Sequence, residues 1–282
     1  MSKLKKALEK AKESREKVLE GEGPAAAGEA AAAAGSQPTA TSAPASDPGT
    51  GTSEVVNPRY RQTRVVACDN QVLRRNRIVF DCQALAVGDQ FKILRTRMMQ
   101  QLVDMQGNSL MLTGPTAGCG TTLTAINLAF SVAQEIKRTV LLVDADLRQP
   151  TVLKYLGIEP EKGLADYLLG KADIAELLVN PGFDKITLLP GGRPLANSTE
   201  LLGTPRMEQL IQEMKSRYPD RFIIFDSSPL LTTADPLVFA KHIDGILLVV
   251  EAEKTSTREV RQAMELLADK PVLGTVLNKV RQ

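Results

Sequence analysis

From about residue 109 onward, short apolar runs alternate with stretches whose apolar residues recur at helical spacing. The runs are SLMLTG, RTVLLVDAD, KITLLPGG, RFIIFDSSP, DGILLVVEA and PVLGTVLN. Their apolarity is continuous rather than alternating, as expected for strands of a parallel sheet covered on both faces. Between them, TLTAINLAFSVAQEI, STELLGTPRMEQLIQEMKSRY and TSTREVRQAMELLAD read as helices. Strand–helix alternation of this kind predicts an α/β fold with a doubly wound, mostly parallel sheet. In such a sheet, ligands sit at the carboxyl ends of the strands. Just upstream, GDQFKILRTRMMQQLVDM places Phe91, Leu94, Met98 and Leu102 at helical spacing, so the domain is taken to begin at residue 85 and run to 282.

The chain before residue 85 changes character three times. Residues 1–20 are strong helix formers with Leu4, Leu8, Ala11, Val18 and Leu19 close to one face, and carry seven Lys/Arg against four Glu. This basic amphipathic helix is either a solvated helix or a docking helix for a partner or a membrane surface. Residues 21–53 hold eleven Ala among Gly, Pro, Ser and Thr, with no aromatic residue and no Lys or Arg. Such a segment buries too little apolar area to offset its chain entropy and is expected to be a disordered linker. Residues 54–84 form an Arg-rich strap, with six arginines between Arg59 and Arg77 and local alternation in TRVVACD and RNRIVFD. One or two short strands against the domain edge would fit it.

Composition narrows the function classes. A formal net charge of +2 over 282 residues gives no global reason to bind nucleic acid. Three cysteines without a CxxC pair argue against a disulfide framework or a zinc ribbon. The single histidine, His242, leaves no basis for a multi-histidine metal site or a Ser-His-Asp triad. No apolar run reaches the roughly 18–20 residues of a transmembrane helix, and the charged N-terminus lacks a signal-peptide core. A cytoplasmic protein is expected, with recruitment to the inner face of the cytoplasmic membrane as an option.

Three motifs carry chemistry. In TGPTAGCGTTLTAINLAF a glycine-rich turn follows a strand and runs into a helix, which presents backbone N–H groups and a helix N-terminus to an anion. Its end, Gly118-Cys119-Gly120-Thr121-Thr122, has the form of a P-loop with Thr122 at the magnesium-binding hydroxyl and Thr121 where the lysine belongs. In TVLLVDADLRQP, Asp144 and Asp146 close an apolar strand two residues apart. Two acids on one side repel unless a cation lies between them, and magnesium suits one or two carboxylates plus phosphate oxygens; an acidic helix cap is the plainer alternative. In RFIIFDSSPLL, four apolar residues lead to Asp226, the form of a Walker B strand. Loop, DAD and FD in this order on an α/β pattern indicate an ATP- and Mg2+-binding domain.

The order GPTAGCGTTLTAINLA, LLVDADLRQP, LLPGG, ELLGTPRM, RFIIFDSSPLL and ILLVVEA, ending in VLNKV, resembles the cytoplasmic domain of bacterial tyrosine autokinases of the CpsD/CapB type. The resemblance spans roughly residues 85–280. It implies a deviant-Walker P-loop fold, protein-tyrosine kinase activity, and a role in capsule and exopolysaccharide export beside a Wzz-like membrane polysaccharide co-polymerase. It places Asp144 and Asp146 on the family's second acidic motif, Asp226 on Walker B, and Asn278 where related ATPases contact adenine. GDQFKILR is similar to the family's ExxRxxR oligomerisation helix, with Asp89, Lys92 and Arg95 at its charged positions, which implies a homo-oligomer.

Two departures bear on activity. Thr121 in place of lysine removes a charge-assisted contact of about 1.5–3 kcal/mol. Loss of a transition-state donor of that kind lowers turnover roughly 10²–10³-fold. Arg148 or a lysine of a neighbouring subunit are the candidate replacements. The tyrosines are Tyr60, Tyr155, Tyr167 and Tyr218, so the C-terminal tyrosine cluster of the family has no counterpart here and autophosphorylation at that place is not expected. Two alternatives therefore stand beside an impaired kinase: a catalytically inactive nucleotide-sensing module of a co-polymerase complex, and a ParA/MinD-like positioning ATPase. Against the last, Thr116 occupies the position of that group's additional lysine.

Overall fold

The computed structural model describes residues 63–80, 85–159, 161–218 and 220–281. The helix expected over 1–20, the linker over 21–53, the first part of the strap and Cys82 lie outside these residues.

Within them, the six apolar runs become β2 (Ser109–Thr113), β3 (Thr139–Asp144), β5 (Ile186–Leu189), β6 (Arg221–Asp226), β7 (Gly245–Glu251) and β8 (Val272–Asn278). Two further strands, β1 (Arg64–Val65) and β4 (Val179–Asn180), are two residues long, too short to leave a periodic signal. The sheet order is β1-β4-β5-β3-β6-β2-β7-β8, and every pairing is parallel except β4 with β5. The strap thus contributes β1 to the sheet edge, while its described residues 69–80 form no strand. Asp69 accepts the Gln71 amide at 2.8 Å and caps a short helix, α1 (Asn70–Arg75), which buries Leu73.

Continuous apolarity means two covered faces, and β2, β3, β5, β6 and β7 show it residue by residue, whereas β8, at the sheet edge, is only half-buried and leaves Leu277 60% exposed. Val140, Leu142, Phe222, Ile224, Leu247 and Val249 point into one core. Leu141, Val143, Ile223, Phe225, Ile246 and Leu248 point into the other. The first face is covered by α2 (Leu85–Asp104), through Met98 and Leu102, and by α3 (Thr121–Ala133), buried from Thr124 to Val132. The second is covered by α8 (Pro205–Arg217), which buries Met207, Leu210, Ile211 and Met214, and by α10 (Thr257–Leu266). Each fully buried side chain of this size contributes about 1.5–3 kcal/mol.

Between β3 and β8 come four shorter helices, α4 (Val152–Tyr155), α5 (Leu164–Leu168), α6 (Ile174–Leu177) and α7 (Ser198–Leu202), with α9 (Asp235–Phe239) following β6. The stretch read as one helix over 198–218 is two, because Thr204 caps the second one, accepting the Met207 amide, and Pro205 starts it. In α10 the start is set by the chain itself: Ser256 and Glu259 form a capping box. No helix among the described residues is long and apolar enough to cross a membrane.

Asp244, just before β7, fastens the amino ends of the central strands. It accepts the backbone N–H groups of Asn108 and Ser109, the Ser109 hydroxyl at 2.7 Å and Lys215 Nζ at 2.5 Å. Burial works to raise its carboxyl, but Lys215, Ser109 and Asn108 together hold it below the ordinary value. Asp244→Ala is expected to cost about 2 kcal/mol in urea unfolding, since it leaves these donors unpaired. Because this carboxyl is held low in the fold, its contribution is present at neutral pH and lost as acid protonates it, so the gap between the two proteins narrows at low pH.

Candidate nucleotide site

The chain threads β6 between β3 and β2, and this brings distant residues to one place. Asp144 and Asp226 are neighbours across β3 and β6 at their carboxyl ends, and on the other side Asp226 is level with Leu112 of β2. The glycine-rich loop leaves β2 at the same edge. It is braced by the segment after β6, whose Leu230 and Leu231 amides donate to the carbonyls of Gly114 and Pro115 at 2.9 and 3.0 Å.

Gly118 and Gly120 have φ of 82° and 89°, a left-handed backbone that favours glycine. A Cβ at Gly118 would meet nothing within 4 Å, so the loop is open there. At Gly120 it would run into the Asn278 side chain. Thr121 opens α3, and the first helical amide bonded back into the turn is that of Thr124, to the Gly120 carbonyl at 3.0 Å. The preceding amides belong to a helix start, where an anion is stabilised. Thr121 ends in a hydroxyl 3.2 Å from where a Cβ of Gly114 would be, so its side chain turns back across the loop. Cys119 is buried, its sulfur near the hydroxyls of Thr116 and Thr255.

The acids facing the loop are almost wholly buried, at 1% exposure for both Asp144 and Asp226. Asp144 Oδ2 accepts the amides of Thr151 and Val152 at 2.9 and 3.0 Å, so the capping alternative is realised on one oxygen. Its Oδ1 and both oxygens of Asp226 have no hydrogen-bond partner among the described residues. Burial first, then the nearby charge of Asp146, pushes Asp144 up to about 7, against the pull of the amides at 151 and 152. Burial and then Asp144 raise Asp226 well above the usual carboxylate range. Thr122 offsets part of this from close by, without completing a hydrogen bond of ordinary geometry.

Asp146 differs from the simplest reading. The strand ends at Asp144, so Asp146 lies in the following turn and accepts the Gln149 amide at 3.0 Å. It still belongs to the acidic group, because its charge acts on both Asp144 and Asp226. Thr122 is joined to the acids through Thr151, whose hydroxyl donates to that of Thr122 at 3.5 Å. No three His, Cys, Asp or Glu side chains converge on one point among the described residues. Three unsatisfied oxygens on two buried acids suit a cation that takes few protein ligands and completes its shell from elsewhere, as magnesium does.

Two cations sit near the site. Arg148 is committed elsewhere: its Nε is 3.3 Å from the fully buried Asp235, which also receives the hydroxyls of Ser198 and Thr199. Lys279 is not foreseen by the motif reading. It follows Asn278 at the end of β8, and its Nζ donates to the Gly118 carbonyl at 2.7 Å. Asn278 itself donates to the Cys119 carbonyl at 2.9 Å and accepts the Lys279 amide, so its side-chain amide is engaged at both ends.

The oligomerisation candidates lie apart, on α2. Asp89 and Lys92 pair with each other on the surface at 2.9 Å, whereas Arg95 folds inward to Glu135 and the Ser131 carbonyl of α3.

Comparison with known proteins adds four findings. A family described as an AAA domain matches residues 110–270. The tyrosine-protein kinase YwqD of Bacillus subtilis is 33% identical over 208 residues, covering 73% of this chain and 86% of that protein. The succinoglycan biosynthesis transport protein ExoP of Rhizobium meliloti is 31% identical over 73% of this chain, which spans only 26% of ExoP. Among solved structures, the kinase domain of the Escherichia coli tyrosine kinase ETK superposes with a TM-score of 0.68 at 26% identity, over 80% of this chain and 91% of that one.

Proposed function

Because the chain belongs to the bacterial tyrosine-protein kinase family built on an AAA domain, we propose that it binds Mg-ATP at residues 114–122 and regulates exopolysaccharide or capsule synthesis and export. The observation that carries the reading is the pair of buried acids, Asp144 and Asp226, with three oxygens unsatisfied at the strand ends beside Thr122. Thr122, Asp144 and Asp226 would hold the magnesium ion, with Asp146 adding charge beside them. The backbone from Gly118 through Thr121 would take the phosphates, while Asn278 fastens the loop. Bound magnesium would neutralise phosphate charge during phosphoryl transfer. Residues 85–282 would be the working domain, held by 1–20 and 21–53 to a membrane polysaccharide co-polymerase. Copies would associate through the surface of α2 that carries Asp89 and Lys92, with Arg95, turned inward to Glu135 and the Ser131 carbonyl, holding that helix against α3. The name of ExoP supports the placement in polysaccharide transport.

One observation favours a second reading, a nucleotide-sensing module that transfers nothing: the side chain at position 121 is short and uncharged. Calorimetry of the full chain with Mg-ATP, with and without EDTA, and labelled-phosphate transfer followed in parallel separate the two. Magnesium-dependent binding with label on tyrosine is the expected result for a kinase. Binding without transfer selects the sensing module. An absence of binding overturns both.

A further inference from the structure

We propose that Lys279 is the phosphate-binding ammonium of this loop, supplying from the end of β8 the charge that position 121 lacks. The proposal rests on the reading of residues 114–122 as a Mg-ATP site and adds the residue that would neutralise the terminal phosphates.

A lysine at position 121 would rise from the first residue of α3. Thr121 stops at a hydroxyl turned toward Gly114, which leaves the loop without an ammonium of its own. Lys279 approaches from the other side. Strand β8 lies parallel to β7 and ends level with Glu251, at the same sheet edge as the loop. Past it, Lys279 has φ of 58°, a left-handed backbone that a lysine seldom adopts, with its amide donated to Asn278 Oδ1 at 2.9 Å. The chain is thus turned at this residue. Its Cε lies 3.9 Å from where a Cβ of Gly120 would be, and Nζ reaches the Gly118 carbonyl. The stem therefore passes beside Gly120, and the ammonium rests on the Gly118 carbonyl, in contact with the loop backbone. The side chain is 46% exposed, so the charge remains accessible.

The other contact of Nζ is Glu251 Oε1, at 3.1 Å, and Glu251 is shared with Lys254 at 3.3 Å. A lysine ammonium has three donors, of which the carbonyl and this carboxylate engage two. An arriving phosphate would meet a charge already placed by the loop and by Glu251, with Lys254 able to keep Glu251 paired when Lys279 turns to the ligand. Arg148 does not compete for the role, because Asp235 and Thr199 hold it.

A lysine that merely latched the loop would make the same two contacts. The test separates the roles by moving the charge. Full-length protein, Lys279→Gln, and Lys279→Gln combined with Thr121→Lys are titrated with Mg-ATP and Mg-ADP, and the melting temperature of each is read without nucleotide. Lys279→Gln is expected to weaken Mg-ATP binding by about ten- to a hundredfold, the range of a lost charge-assisted contact, and Mg-ADP binding by less. Returning the charge at position 121 is expected to restore most of the Mg-ATP affinity. Unchanged affinity in Lys279→Gln overturns the proposal while leaving the Mg-ATP site intact. So does a loss that Thr121→Lys fails to repair and that a lower melting temperature accompanies, the result for a latch. Failure of the unsubstituted protein to bind Mg-ATP would instead sink the site reading itself.

Discussion

Asp226→Asn is expected to melt at a higher temperature than the unsubstituted protein without nucleotide, and to lose magnesium-dependent ATP binding altogether. Both effects have one origin. Asp226 is buried between β3 and β2 with neither oxygen hydrogen-bonded among the described residues, and Asp144 stands beside it at the same strand level. A buried carboxylate in this position is costly until a cation arrives, whereas an amide of the same shape carries no charge to desolvate. The sign with pH follows. Burial and the neighbouring acid raise the Asp226 carboxyl well above its unfolded value, so the folded state binds more protons than the unfolded one. Stability contributed at this residue therefore falls as pH rises from the ordinary carboxylate range toward the raised value. The asparagine variant loses that part of the dependence. Its advantage should be small at pH 4, where the unfolded carboxyl is itself largely protonated, and about 1–3 kcal/mol at pH 8, the scale of an uncompensated buried polar group. Thermal unfolding at both pH values, with and without magnesium, measures it. A variant no more stable than the parent at pH 8 would show that the two acids are not strained against each other.

The trade of stability for a charged site also explains what could be read in advance. The six long strands were legible from their continuous apolar runs; Leu141 and Leu142 fall into opposite cores as that pattern requires, while β8, with the same run, lies at the edge and is only half-buried. The loop and the acids were legible because phosphate and magnesium chemistry restricts residue types at strand ends: Gly118, Gly120, Thr122, Asp144 and Asp226 stand together as a motif. Short pairings were not. Strands β1 and β4 are held by a few backbone bonds, and the antiparallel β4–β5 pairing leaves no sequence period. The split at Thr204 was written in the chain as a Thr-Pro cap and start, but the apolar spacing runs across it. Lys279 was invisible for a different reason. Its role depends on β8 lying next to β7 and on a left-handed turn after Asn278, both properties of the assembled sheet. The only local signal was a lysine directly after the motif asparagine.

Gly163→Ala is expected to destabilise the protein by about 3 kcal/mol or more. Gly163 precedes α5 with φ of −158°, an extended backbone open to any residue, so the cost comes from packing. A Cβ there would strike the Pro190 carbonyl and the Gly192 amide and come within 2.7 Å of the Gly191 carbonyl carbon. All three are backbone atoms, which no rotamer change can clear. The same segment is tied to α5 by Leu164 and Ala165, whose amides donate to the Pro190 and Gly191 carbonyls at 2.7 and 3.0 Å. The strain would also reach the acids, because Gly191 packs closely here: a Cβ on it would lie 2.8 Å from Pro150 Cβ and 3.2 Å from the Asp144 carbonyl oxygen. A weakened response to magnesium should therefore accompany the loss of stability. Gly118→Ala is the control that separates packing from backbone conformation. Gly118 has φ of 82° but no atom near its Cβ position, so only the left-handed penalty applies, about 1–2 kcal/mol. Urea unfolding of the two variants side by side gives the answer. A clearly larger loss at Gly163 means that backbone contact between the LLPGG turn and α5 sets the back wall of the site. Equal losses would mean that the turn moves aside without penalty and that Asp144 is held by the amides of Thr151 and Val152 alone.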